Sequence, residues 1–271
     1  MRILFIGDVM GRSGRDALTA HLPGLRKNLR ADVTIVNAEN AAHGIGLNPE
    51  ICKDLYALGT DVITTGNHVW DQREIISYID RDPKLLRPIN FPKGTPGKGF
   101  NVHALPDGRK ILVANAMARI FMDPMDDPFA AMNELLNTYH LGATVNAIFL
   151  DFHGEATSEK MAMGHYLDGR ISALVGTHTH APTADVQIFN GGTAYQSDAG
   201  MTGDYDSVIG VKKEVPIARF VRKMPTDRMS PAEGEATVCG LFVETDDKTG
   251  LAKNAGAVRI GGRLKPEMPD F

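Results

Sequence analysis

The feature that most restricts how this chain can fold is an alternation of short apolar runs with helical stretches through its first third. Arg2–Gly7, Asp32–Asn37 and Asp61–Thr65 read as strands of the type buried on both faces. Helical periodicity appears over Gly14–Leu29, Pro49–Leu58 and Asp71–Tyr78. Strands of this kind linked by helices form βαβ units, because parallel neighbours need a long crossover, so a parallel sheet is expected. Runs at Ile111–Ala116, Val145–Asp151 and Ile171–Gly176 continue the pattern, with helices expected at Phe129–Tyr139 and Thr157–His165. The last third changes character. Thr183–Phe189, Pro216–Val221, Ala236–Glu244 and Ala255–Ile260 read as shorter strands joined by turns, which predicts a meandering second sheet. The expected class is α/β, with two packed sheets between helices. A length of 271 residues suits one domain over 1–271. Pro88–Gly99 and Phe121–Pro128 read as long loops bordering a pocket, and Gly261–Phe271 as an extended terminal arm.

Composition excludes several classes of function. The chain is 43% hydrophobic and 23% charged, and no apolar run approaches the roughly 20 residues of a membrane span. The apolar N-terminus meets a charged residue at Asp8 and lacks a small-residue cleavage site, so it reads as a strand and not as a leader. A net charge of −4 provides no general attraction for polynucleotide, which favours a small-molecule substrate over a nucleic-acid partner. Cys52 and Cys239 are far apart and lack the spacing of a redox or zinc motif, so a reducing cytoplasm is the expected compartment.

Ligands of parallel α/β sheets bind beyond the carboxyl ends of the strands, which makes the residues ending each predicted strand informative. These are Asp8; Glu39 and Asn40; Asn67 with His68; His153; and His178 with His180. Taken singly, Asp8, Asn40 and Asn67 read equally as caps or turn residues, and His153 as a hydrogen-bonded core histidine. Their recurrence at successive strand ends favours a metal centre. In His178-Thr179-His180, alternate residues can turn into one site where the chain bends, and imidazole is the commonest nitrogen ligand of transition metals. Glu39 can bridge two cations, since one carboxylate has two oxygens and offsets their repulsion at a separation of about 3.5–4 Å. The mixed nitrogen and oxygen set suits iron, manganese or zinc.

These motifs resemble those of the calcineurin-like metallophosphoesterases, whose pattern runs D-x-H, G-D-x-x-D, G-N-H-D/E, a lone His, and G-H-x-H. The chain carries Gly7-Asp8-Val9-Met10, Asn37-Ala38-Glu39-Asn40, Gly66-Asn67-His68-Val69-Trp70-Asp71, His153 and Thr177-His178-Thr179-His180, spanning about residues 3 to 200. Met10 replaces the first-motif histidine, Glu39 replaces the usual bridging Asp, and Val69 breaks the third motif. With Asp151-Phe-His-Gly-Glu-Ala-Thr-Ser-Glu-Lys160, these departures are similar to the bacterial YmdB-like branch, which acts on 2′,3′-cyclic nucleotides. The resemblance implies the superfamily's four-layer αββα sandwich and two metal ions, one held by Asp8, Glu39, Asn40 and His180, the other by Glu39, Asn67, His153 and His178. It implies iron or manganese in preference to zinc, and a homo-oligomer.

In such a site, two close cations lower the pKa of a bridging water to supply hydroxide. His68 is then the general acid for the departing ribose oxygen, or else a residue that orients the ligands. Glu155 and Glu159, with Lys160, follow His153 at the start of a predicted helix, where acids meet the positive end of the dipole, and read as capping in preference to catalytic. Trp70 reads as core or as a base-stacking residue, Arg119 as a solvated cation or a phosphate contact, and His43 has no assigned role. His21, His103, His140 and His165 read as ordinary polar residues. Alternatives are a phosphomonoesterase or nucleotidase, a non-catalytic metal-binding regulator, and an amidohydrolase, although the latter places its His-x-His on the first strand.

Overall fold

The computed structural model describes residues 1–270. The chain begins with β1 (Arg2–Ile6), α1 (Gly11–Leu29), β2 (Val33–Asn37), α2 (Pro49–Ala57), β3 (Val62–Thr64) and α3 (Glu74–Tyr78), the last running into a 3-10 turn at Ile79–Arg81. It then crosses to a second sheet through β4 (Phe100–Ala104), β5 (Lys110–Met117), α4 (Pro128–Thr138), β6 (Ala147–His153), α5 (Thr157–Tyr166), β7 (Ala173–Thr177), β8 (Gln187–Ile188) and β9 (Ala194–Gln196). Finally β10 (Gly203–Asp204), α6 (Glu214–Arg222), β11 (Ala236–Thr245) and β12 (Ala252–Ile260) return to the first sheet.

One sheet has the order β10-β11-β1-β2-β3, with β12 on the far edge of β11. The other runs β4-β5-β6-β7-β9-β8. β1, β2 and β3 are parallel, as are β5, β6, β7 and β9. Alternate residues of each strand enter different layers, as the period of two requires. Leu4, Ile6 and Val36 face α1 through Leu18, Leu22 and Leu25. Ile3, Phe5, Val33 and Ile35 face Val113, Phe149 and Val175 of the other sheet. Phe5 and Phe149 stack with centroids 5.3 Å apart across that middle layer. Leu112, Ile148 and Leu174 face α4 and α5 through Met132, Leu136 and Met163. The result is the expected four-layer sandwich, helices outside and two mixed sheets inside.

Three expectations need correction. Of the strands expected in the last third, the segment that becomes β8 joins an edge of the second sheet, but β11 and β12 do not build it. β11 pairs antiparallel with β1 and enlarges the first sheet, while the second is centred on β5, β6 and β7. Strands buried on both faces have the same local signature in either sheet, so their partners are decided by long-range packing. Pro216–Val221 lies in α6 and is not a strand. Its β-branched and aromatic content suggests a strand, but Ile217, Phe220 and Val221 fall at i, i+3 and i+4, one face of α6, and all are exposed, as is Met224 just past the end of the helix. Thr183–Phe189 shortens to β8, because Thr183 and Asp185 spend their side chains on Asp198 and Ser197. β4, β9 and β10 were not anticipated. The terminal arm doubles back, with Glu267 exchanging two backbone hydrogen bonds with Arg259; Phe271 lies outside the described residues. Among the described residues, no helix is long and apolar enough to cross a membrane.

Candidate metal centre

The carboxyl ends of β1, β2, β3, β6 and β7 reach the same edge of the sandwich, although they belong to two sheets. Asp8, Glu39, Asn40, Asn67, His153, His178 and His180 meet there. His153 ends β6, and its Nε2 lies 2.9 Å from Asn67 Oδ1, 3.1 Å from His178 Nδ1 and 3.3 Å from Glu39 Oε1. Ligand atoms of Glu39, His153 and His178 all fall within 4.8 Å of one another. The remaining residues form a second group. His180 Nε2 lies 3.1 Å from the Asn40 carboxamide and 3.7 Å from Asp8 Oδ2, and Asn40 donates to Glu39 Oε1 at 3.1 Å. Glu39 therefore touches both groups. Gly66 makes the packing feasible, since a Cβ there would overlap the Glu39 carboxylate and the His153 ring.

Burial works against every charge in this cluster, and the partners decide the outcome. Desolvation lifts the Asp8 carboxyl well above the usual range, opposed by His153 and reinforced by Glu39 and Asp198. Burial alone would also raise Glu39, but His153 and the His68 backbone N–H hold it down to about 2. His153 would be depressed by burial, yet Glu39, Asp8 and Asp151 lift it to about 9. Burial and the adjacent His153 push His178 down to about 3, and burial lowers His180. His153 and Glu39 thus satisfy one another, whereas Asp8 keeps a buried Oδ1 with no hydrogen-bond partner. A carboxylate oxygen without a donor, beside imidazole and carboxamide groups, is a donor set that fits a cation of the iron, manganese and zinc class.

Behind the strand-end cluster lies a buried network that the strand-end reading missed. His153 Nδ1 is 2.9 Å from Thr177 Oγ1, which donates to Asp151 Oδ1 at 2.7 Å. Asp151 Oδ2 accepts from Thr64 Oγ1 at 2.6 Å and Asn37 Nδ2 at 2.9 Å, joining the two sheets. Polar residues inside otherwise apolar strands, such as Asp151 two residues before His153, were the signal that could have revealed it. On the other side, His180 Nδ1 donates to Ile209 O at 2.7 Å, which aims Nε2 at Asp8. Fixing one ring nitrogen this way orients the other towards a cation.

A cleft of about 480 Å³ opens over the cluster, lined by Met10, His68, Glu155, Ile209 and Met229 among others. His68 Nδ1 lies 2.6 Å from Asp71 Oδ2, while its backbone N–H donates to Glu39 Oε2 at 3.2 Å. At α5 the expectation holds only in part: Glu159 stands in the first turn, where an acid meets the positive end of the dipole, but no side chain caps the helix. Its N-cap, Ala156, makes no side-chain cap bond, and Glu155 instead reaches towards His178 Nε2 at 3.4 Å. Glu159 is buried and accepts the backbone N–H groups of Arg119 and Ile120, fastening a loop. Trp70 packs edge-on against Phe91 with the first core. Arg119 is half exposed, 3.8 Å from Asp127, and His43 is exposed.

The YmdB-like protein family model matches residues 4–258. The 2′,3′-cyclic-nucleotide 2′-phosphodiesterase of Bacillus subtilis (strain 168) is 49% identical over 92% of this chain and 93% of its own length. A crystal structure of a hypothetical protein from Thermus thermophilus superposes with a TM-score of 0.90 at 41% identity, covering 97% of this chain and 100% of that one. A novel phosphatase from Mycoplasma pneumoniae superposes with a TM-score of 0.89 at 32% identity, covering 96% and 93%. With its strand-end cluster, its four layers and these matches in agreement, the chain belongs to the YmdB-like protein family.

Proposed function

We propose that this protein is a dinuclear metal-dependent phosphodiesterase that opens 2′,3′-cyclic nucleotides. The observation that carries this reading is the position of Glu39, in contact with His153 on one side and Asn40 on the other. Asp8, Glu39, Asn40 and His180 would hold one ion, and Glu39, Asn67, His153 and His178 the other. When bound, the two ions supply the Lewis acidity that activates water and offsets charge on the phosphoryl oxygens. Met10 in place of a histidine leaves the Asp8 set mainly oxygen, which favours iron or manganese over zinc. The free, buried cysteines support a cytoplasmic setting.

The chain's own acid is His68. Asp71 ties its Nδ1, so Nε2 is the atom that delivers a proton to the departing ribose oxygen. A strained five-membered cyclic phosphate needs that proton less than a linear diester does. His68→Ala is therefore expected to cost linear diesters up to about 10²–10⁴-fold in turnover and cyclic substrates clearly less. Equal losses on both would remove His68 as the acid. The Mycoplasma pneumoniae relative, described as a phosphatase, favours a phosphomonoesterase as the second reading. Hydrolysis of nucleoside monophosphates by the manganese-loaded protein, with none of cyclic substrates, would establish that reading and discard ours.

A further inference from the structure

Lys160 and Asp198 have no part in the chemistry above, yet they form an ion pair at 2.9 Å with both side chains 2% exposed. Burying two charges costs more than an apolar pair of the same volume would, so what the pair grips is informative. Lys160 Nζ donates to Thr177 O at 2.8 Å. Asp198 Oδ2 accepts from Thr179 N at 3.0 Å and from Thr179 Oγ1 at 2.8 Å, and Oδ1 accepts from Gly200 N at 2.9 Å. The pair thus holds the residues before and after His178.

The turn needs holding. His178 has φ +97° and His180 φ +65°, conformations that side chains other than glycine rarely adopt and that persist only where the surroundings over-determine them. Gly176 admits the clamp, since a Cβ there would overlap Ser197 O and crowd the Lys160 side chain. The segment after Asp198 also supports Asp8: Thr202 N donates to Asp8 O at 2.9 Å, and Met201 N to His180 O at 3.2 Å.

We infer that Lys160 and Asp198 are positioning residues that clamp the strained Thr177–His180 turn so that it delivers one imidazole to each metal set, His178 beside His153 and His180 beside Asp8. The inference rests on the two-metal reading. It predicts that the clamp controls metal affinity through the geometry of one turn and not through the stability of the whole sandwich.

The test is calorimetric titration of the metal-free protein with Mn²⁺, alongside amide hydrogen exchange. Asp198→Asn is expected to weaken Mn²⁺ binding about 10–100-fold, the range for groups that orient metal ligands, with faster exchange confined to 177–180. Lys160→Met combined with Asp198→Leu leaves no uncompensated buried ion and is expected to show the same loss; this pair of changes decides the matter if Asp198→Asn does not fold. Thr179→Val removes a single bond of the clamp and should weaken binding less. Unchanged Mn²⁺ affinity in the folded variants overturns the inference. So does exchange that quickens evenly along the chain, which marks general destabilisation. If the unaltered protein takes up no Mn²⁺, the two-metal reading fails instead, and local exchange at 177–180 still decides whether the clamp holds the turn.

Discussion

The His153 side and the Asp8 side of the centre are built to different standards of order. His153 is buried among Asn67, His178 and Glu39 at 2.9–3.3 Å, and its rear nitrogen meets Thr177, which in turn donates to Asp151. On the other side, Asp8 approaches His180 only to 3.7 Å and keeps an unpartnered buried oxygen. The ionic partners of the His153 side already balance one another, whereas burial, reinforced by Glu39 and Asp198, raises the Asp8 carboxyl against the pull of His153, and the one short bond that Asp8 Oδ2 accepts is from His178 N at 2.8 Å. The first is preorganised by protein contacts alone; the second is an arrangement that a cation would complete. Met10 lines the cleft beside these residues and brings a thioether there in place of an imidazole.

Three experiments press on this contrast, beginning with the largest effect. Glu39→Gln removes the one residue common to both sides, so both metals and turnover should fall together, by more than the roughly 10–100-fold typical of residues behind the ligands. Elemental analysis showing two retained ions would take Glu39 out of the shared position. Next, Asp8→Asn should release one ion and leave the other near full occupancy, while His153→Asn should disturb the better-ordered side and lower retention of both. Identical metal contents in the two variants would erase the distinction between the sides. The smallest effect is expected from Thr177→Val, which unties His153 Nδ1 without touching a ligand atom. Metal affinity should drop about tenfold, at the lower end for such groups, with the Asp8 side unaffected. An unaltered binding isotherm would mean that Asp151 and Thr177 serve packing and not the metal.

Much of the centre was legible because its logic is local. Asp8, Glu39, Asn67, His153 and His178 each follow an apolar run of five or so residues, and a parallel sheet sends all such ends to one edge. The place of Glu159 in the first turn of α5 was legible but its use was not, because an acid near a helix start can serve that helix or reach another segment. Here Glu159 bonds Arg119 and Ile120, forty and thirty-nine residues away. Pro216–Val221 was misread because β-branched content outweighed a helical spacing that the exposed face of α6 displays.

By itself the sequence determined the strand and helix rhythm of the first two thirds apart from β4, and the presence of acid, amide and imidazole side chains at strand ends, since these follow from periodicity and chain direction over a few residues. Only the tertiary structure decided that β5, β6 and β7 form a separate sheet whose edge meets that of β1, β2 and β3. It alone brought Asn37 and Thr64 to Asp151, and Lys160 to Asp198. Those contacts join residues 38 to 114 positions apart, and no local preference encodes a partner at that distance. They are selected by burial, where an unpaired polar group is too costly to leave unmatched.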